Sequence, residues 1–175
     1  MYSALTDTWF FTASIDNWQR LLYREERINI LLNSLRYFCG NKRILLHAFV
    51  IMPNHIHLLL TLCGEETPTT FQRDILKFTS HKLIGLLINN DRQDELNNYI
   101  STQKDRIYQI WERRSKWIKI DNMLILQQKM NYIHSNPLQE RWKLAGSPEA
   151  YPWSSAAYYS GDSSPFDFLT DPDYE

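Results

Sequence analysis

The sequence predicts an α+β fold: a ferredoxin-like split βαβ sandwich with an antiparallel sheet and an extra C-terminal helix carrying a tyrosine. Three observations predict it. Apolar periodicities alternate in the order β-α-β-β-α-β, a Pro53-Asn54 turn joins two β-prone runs, and a further helical pattern is halted by Pro137. Residues 9–15 (WFFTASI) are short, aromatic and β-prone, a first strand. Residues 18–38 place apolar side chains at 21, 22, 28, 31, 32, 35 and 38, a helical spacing that ends near Gly40. Residues 44–51 and 55–62 form a hairpin about the Pro-Asn turn. A second helix, about 70–89, opens behind Pro68 and its threonines and turns Phe71, Ile75, Phe78, Leu83, Leu86 and Leu87 inward. Residues 90–105 are polar and read as surface loop or short helix. Residues 107–120 are aromatic and basic and contain a fourth strand. Asp121 is placed to cap a third helix, about 122–135, and turns with a short helix follow from Tyr151. Both helices of the split βαβ unit then cover one sheet face, leaving the other for a ligand or for the third helix.

Length and composition bound the class. At 175 residues with no internal repeat, one domain is expected over residues 1–161, followed by an acidic tail, 162–175. A hydrophobic content of 43% excludes a disordered chain, and no apolar run approaches the ~20 residues of a membrane span. The N-terminal residues show no basic region followed by an apolar one, so no secretory signal is read. Cys39 and Cys63 lack a CxxC spacing and read as free thiols. A cytoplasmic protein is expected. Residues 160–175 hold five acids and no Lys or Arg, leaving 19 basic and 15 acidic side chains in the rest. The body is thus mildly basic. The tail reads as a solvated end, with a flap competing for the basic surface as the sharper alternative.

Two motifs carry chemistry. In Met52-Pro53-Asn54-His55-Ile56-His57, the histidines stand at i and i+2 of a strand and share one sheet face, where two imidazoles can bite one divalent ion. In Tyr132-Ile133-His134-Ser135-Asn136-Pro137, Tyr132 and Asn136 are four apart on a helix and share a face. The stripe Met123, Leu126, Met130 and Ile133 would dock that helix on the sheet. Separately, each motif is explained by packing: a surface histidine pair, an amphipathic tyrosine and a helix-ending asparagine. Together they suit a metal-assisted tyrosine nucleophile acting on a phosphodiester. A phenol with a pKa near ~10 needs a nearby cation to attack at neutral pH, and two imidazoles with an amide oxygen leave positions open for phosphate oxygens. Such N/O ligation suits Mn²⁺ or Mg²⁺. Lys129, one turn before Tyr132, can hold the phosphate. Arg106, Arg113, Arg114, Lys116 and Lys119, interleaved with Tyr108, Trp111 and Trp117, form the candidate nucleic-acid surface, cations for phosphates and aromatics for unpaired bases.

These residues resemble the IS200-like and REP-associated tyrosine transposases, Y1-type members of the HUH single-strand endonucleases. His55-Ile56-His57, within residues 47–60, is similar to the HUH motif, and Tyr132-Ile133-His134-Ser135-Asn136 to the family's tyrosine helix. Tyr151-Pro152-Trp153-Ser154-Ser155 resembles a recurring segment of the REP-associated branch. The resemblance spans about residues 8–161. It implies that Tyr132 attacks single-stranded DNA beside a hairpin such as a REP-like palindrome, giving a 5′-phosphotyrosine and a free 3′-OH that later steps rejoin. It implies His55, His57 and Asn136 as metal ligands, and a bacterial, nucleoid-associated setting. One branch works as a homodimer that exchanges the tyrosine helix, the other as a monomer. The chain departs from the pattern after Pro137, where relatives have a small, basic, glycine-containing turn and this sequence has Leu138-Gln139-Glu140-Arg141-Trp142. Two other readings stand beside this one: a domesticated, non-cleaving binder of DNA or RNA hairpins, and a metal-dependent phosphodiesterase that uses water.

Overall fold

The computed structural model describes residues 7–161 and 165–172. Its elements are β1 (Thr8–Ser14), α1 (Glu25–Gly40), β2 (Ile44–Met52), β3 (His55–Leu62), α2 (Pro68–Asn89), a short α3 (Gln93–Leu96), β4 (Lys116–Lys119), α4 (Met123–Ser135) and a short α5 (Ala156–Tyr159). The strands form one sheet in the order β2-β3-β1-β4, every neighbouring pair antiparallel. This is the expected split βαβ sandwich.

Strand alternation sorts the core into two layers. Phe11, Ala13, Ile56, Leu58 and Leu60 face α1 and α2, which contribute Leu31, Leu35, Phe71 and Leu83. Phe10, Val50 and Leu59 face the other way and receive Leu126, Met130 and Ile133 from α4. A bulge between Leu46 and Ala48 lets these two residues, only two apart, lie in opposite layers. The α4 helix therefore takes the open sheet face. Met123, expected in its buried stripe, is instead 37% exposed at the first turn.

Several boundaries differ from the sequence reading for local reasons. The helix expected from residue 18 begins at Glu25, because Asn17 and Trp18 adopt left-handed backbone angles (φ 53° and 56°). Leu21 and Leu22 remain buried as part of the turn leading into it. Thr67 caps α2 in a reciprocal box with Thr70, with Pro68 at the first position. The buried stripe of α2 runs Phe71, Ile75, Thr79, Leu83 and Leu87, a strict four-residue step that carries Phe78 off the face, where it is 47% exposed. Asn122, not Asp121, caps α4: its Oδ1 accepts from the Ile125 N–H at 3.0 Å.

The edge of β2 is covered by the chain's C-terminal part. The Ile51 N–H donates to the Trp153 carbonyl, Ser155 N–H donates to the Phe49 carbonyl, and Thr170 N–H donates to the Leu46 carbonyl. Phe166, Phe168 and Leu169 are buried in the main core. The expected solvated tail is thus corrected over residues 165–172, because three apolar side chains interrupt its acids. Asp162, Asp173 and Glu175 lie outside the described residues. Cys39 and Cys63 are free, and among the described residues no helix is long and apolar enough to cross a membrane.

The polar segment after α2 is tied to α1 by Arg27. Its buried guanidinium makes a two-pronged pair with Glu95 at 2.6 and 2.7 Å and donates to the Leu21 carbonyl. Glu95→Ala would strand that charge in the interior, a loss of roughly 3–5 kcal/mol. The expected result is a large fall in the urea midpoint, smaller in the double variant Arg27→Met/Glu95→Leu. Equal midpoints for wild type and Glu95→Ala would show that the pair does not support the fold.

Candidate functional site

The register of the sheet builds the site. Thr12 pairs with His57 and Ser14 with His55 across β1 and β3, and Lys116 on β4 pairs with Thr12. All five side chains project from the face on which α4 lies. The two imidazoles are nearly fully buried, with ring centroids 4.7 Å apart. The Tyr132 ring, from α4, stands 5.1 Å from that of His57 and 6.0 Å from that of Phe10. Tyr132 is 41% exposed, so its hydroxyl end can be reached from solvent.

Hydrogen bonds fix which imidazole nitrogens are available. Asn54 donates its Nδ2 to the Trp18 carbonyl at 3.1 Å, which turns its Oδ1 toward His55 Nδ1 at 2.7 Å. Since that oxygen only accepts, His55 carries its proton on Nδ1 and keeps the lone pair on Nε2. His57 Nδ1 bonds Thr12 Oγ1 at 2.8 Å, and its buried Nε2 has no partner. Asn136, at the end of α4, is fully buried, and neither atom of its carboxamide has a hydrogen-bond partner. The sequence reading placed Asn136 beside Tyr132 at the rim; the structure buries Asn136 and leaves Tyr132 accessible. Asn136 sits close enough to His55 to act on its titration. Burial pushes His55 down to about 4; burial, with the neighbouring His55 and Lys129 charges, pushes His57 down to about 3. Both rings are neutral at pH 7, the form that ligates a metal.

The cleft above these groups has a volume of about 360 Å³. Lys116, Lys129 and Arg141 line it together with Tyr132 and the histidines, and no carboxylate does. A divalent ion could be held by His55, His57 and Asn136: the orphaned Nε2 and carboxamide atoms and the neutral rings fit one. Among the described residues no group of three or more His, Cys, Asp and Glu gathers that could hold a metal, so the two histidines and the Asn136 carboxamide are the donors this site offers.

The basic stretch divides. Lys116 faces the cleft, while Lys119 leans on Trp9, 5.6 Å from its ring. Trp111 is buried, and its Nε1 donates to Thr79 Oγ1; Trp117 packs between Phe11 and Phe71 and donates to Gln72 Oε1. These two tryptophans are corrected from base-stacking candidates to packing residues, because α2 supplies the partners of both N–H groups and their rings pack on the core. Arg106 pairs with Asp105, as does Arg113. Both line a larger groove, about 700 Å³, between α2 and residues 105–113, away from the histidines. Arg114 is exposed and lines a smaller hollow beside Asn17 and Glu112.

Sequence reasoning missed Thr12, Asn54, Trp18, Arg141 and Trp142. The only available signal was that Asn54 abuts the first histidine. Arg141 and Trp142 belong to the segment that departs from the family pattern; here Arg141 lines the cleft and the Trp142 ring lies 5.9 Å from that of His55. The Tyr151-to-Ser155 segment covers the β2 edge, and Ser155 Oγ bonds His134 Nε2 at 2.9 Å.

The rings of His55, His57 and His134 make stability depend on acid. Burial pushes His134 down to about 4 as well. Each binds a proton in the unfolded chain near its ordinary 6.5 but resists it when folded, so stability is intact above that value and declines as pH falls toward 4. The slope is up to about 1.4 kcal/mol per pH unit for each ring. Urea midpoints are expected to fall between pH 6.5 and 4.5, before most carboxylates titrate. A flat profile there would contradict the neutral state of these rings.

Fold and site together define a ferredoxin-like sheet with a two-histidine, one-tyrosine centre on the face that α4 shares. The solved structure of a REP-associated tyrosine transposase bound to a REP hairpin is similar to the chain, with a TM-score of 0.65 and 21% identity over 97% of this chain and 88% of that one. The chain therefore has the fold of that transposase. A candidate transposase of Deinococcus radiodurans gives a TM-score of 0.49 at 16% identity, over 73% of this chain and 88% of that one. No protein-family model and no curated protein matches the chain.

Proposed function

We propose that this protein is a tyrosine transposase of the HUH type, cleaving and rejoining single-stranded DNA beside a hairpin. The observation that carries the reading is one convergence: two neutral imidazoles stand beside an accessible phenol in a cleft lined by three cations and no acid, with the buried Asn136 carboxamide next to His55. A polyanion fits that cleft, and the same cations favour the phenolate form of Tyr132. The hairpin bound in the similar solved structure supports a hairpin as the partner here.

His55, His57 and Asn136 would hold the divalent ion, Mn²⁺ or Mg²⁺, which supplies charge neutralisation to the scissile phosphate and favours phenolate. Lys116, Lys129 and Arg141 hold phosphate oxygens. Tyr132 Oη forms the bond to phosphorus, the bond to the 3′-oxygen breaks, and that oxygen leaves as a 3′-hydroxyl. Attack by another 3′-hydroxyl on the phosphotyrosine reverses the step and rejoins DNA. Since Tyr132 stands beside the histidines of its own chain, one chain can supply all four groups.

The test mixes the protein with labelled single-stranded hairpin oligonucleotides and Mn²⁺ and resolves the products on a denaturing gel. A covalent protein–DNA band is expected. Nicked product without that band would assign a water nucleophile, and hairpin binding without cleavage would assign a binder.

A further inference from the structure

Trp18 stands on the rim of the cleft and has no part in the chemistry above. It is 60% exposed, the only exposed tryptophan among the described residues. Its backbone is left-handed (φ 56°), and so is that of Asn17 before it. A bulky residue is disfavoured there and glycine is not. The turn is nonetheless tightly held. Trp18 N–H donates to the Ile15 carbonyl, Asn17 N–H donates to Glu112 Oε1, and the Trp18 carbonyl accepts from Asn54, the side chain that sets the His55 tautomer. The ring thus keeps a defined place 6.4 Å from His55, at a cost in strain and with little burial in return.

We infer that Trp18 is a stacking platform for the unpaired base next to the scissile phosphate. The inference rests on the proposed function and adds to it the residue that seats the flanking nucleotide. An exposed aromatic beside a cationic cleft is the combination by which proteins hold single strands. Trp142, 5.9 Å from His55, is not free for that work, because Arg20 and Arg141 lie over its ring at 5.3 and 5.8 Å. Trp18 has no cation over it among the described contacts.

The discriminating variant is Trp18→Gly, which removes the ring and relieves the backbone. Binding is measured by fluorescence anisotropy with Mn²⁺ on the Tyr132→Phe protein, which leaves the oligonucleotide intact. Hairpins with a flanking single strand are compared with versions carrying one abasic site at each flanking position in turn. Trp18→Gly is expected to melt no lower than its parent yet to bind the complete oligonucleotide roughly 5- to 100-fold more weakly. At one flanking position the abasic substrate should bind both proteins equally, and Trp18→Phe should retain most of the affinity. If Trp18→Gly binds complete and abasic DNA with the same loss, or melts markedly lower, Trp18 is a packing residue and the inference is overturned. Should the parent bind no hairpin at all, the proposed function itself fails and takes this inference with it.

Discussion

Tyr132→Phe is expected to abolish the covalent protein–DNA product and to lower cleavage on the order of 10³-fold or more, with hairpin affinity within a few-fold of wild type. The ring of Tyr132 contributes edge contacts to Phe10 and His57, and phenylalanine preserves both. Tyr132 is 41% exposed and lines the cleft, so loss of the hydroxyl leaves the packing of the ring intact. A structural role for this tyrosine would give the opposite pattern, with activity kept and stability changed. A denaturing gel and an anisotropy titration on the same preparation separate the two. Cleavage at the wild-type rate would remove Tyr132 from the mechanism.

The second large effect concerns the histidines. At a hundred times its dissociation constant, a ligand of the folded state adds about 2.7 kcal/mol of stability. For a chain of this length, Mn²⁺ should then raise the melting temperature of the wild type by about 5–10 °C. His55→Ala/His57→Ala should lose that increment and all metal-dependent cleavage. Each ring is buried, so the alanines also leave cavities; His57→Gln, closer in volume, guards against reading misfolding as lost ligation. A full Mn²⁺ increment in a folded double variant would place the ion elsewhere and overturn the ligand set.

Much of the fold was legible because its signals are local. The hairpin ends, the capped start of α2 at Thr67-Pro68 and the halt of α4 before Pro137 each follow from residues within a turn of one another. The HxH pair shares a face by strand geometry alone, and Tyr132 follows from helix spacing. Where local signals misled, a distant partner intervened. Trp111 and Trp117 resemble stacking aromatics in a basic run, until α2 supplies Thr79 and Gln72 to take their N–H groups. The tail resembles a solvated acidic end, until the unpaired edge of β2 gives residues 169 and 170 something to bond.

By itself, the sequence determined the α+β class and the order of elements, and singled out two histidines, a tyrosine and an asparagine as candidates for one site. These depend on period, caps and residue chemistry, all of which are properties of neighbours along the chain. Tertiary structure alone decided that Thr12 and Asn54 orient the imidazoles, that Arg141 lines the cleft and Trp142 lies against His55, that Asn136 is buried while Tyr132 is not, and that Trp18 stands exposed at the rim. Each of those facts depends on strand register or on which face a helix covers, and register joins residues such as Thr12 and His57 that lie far apart in sequence.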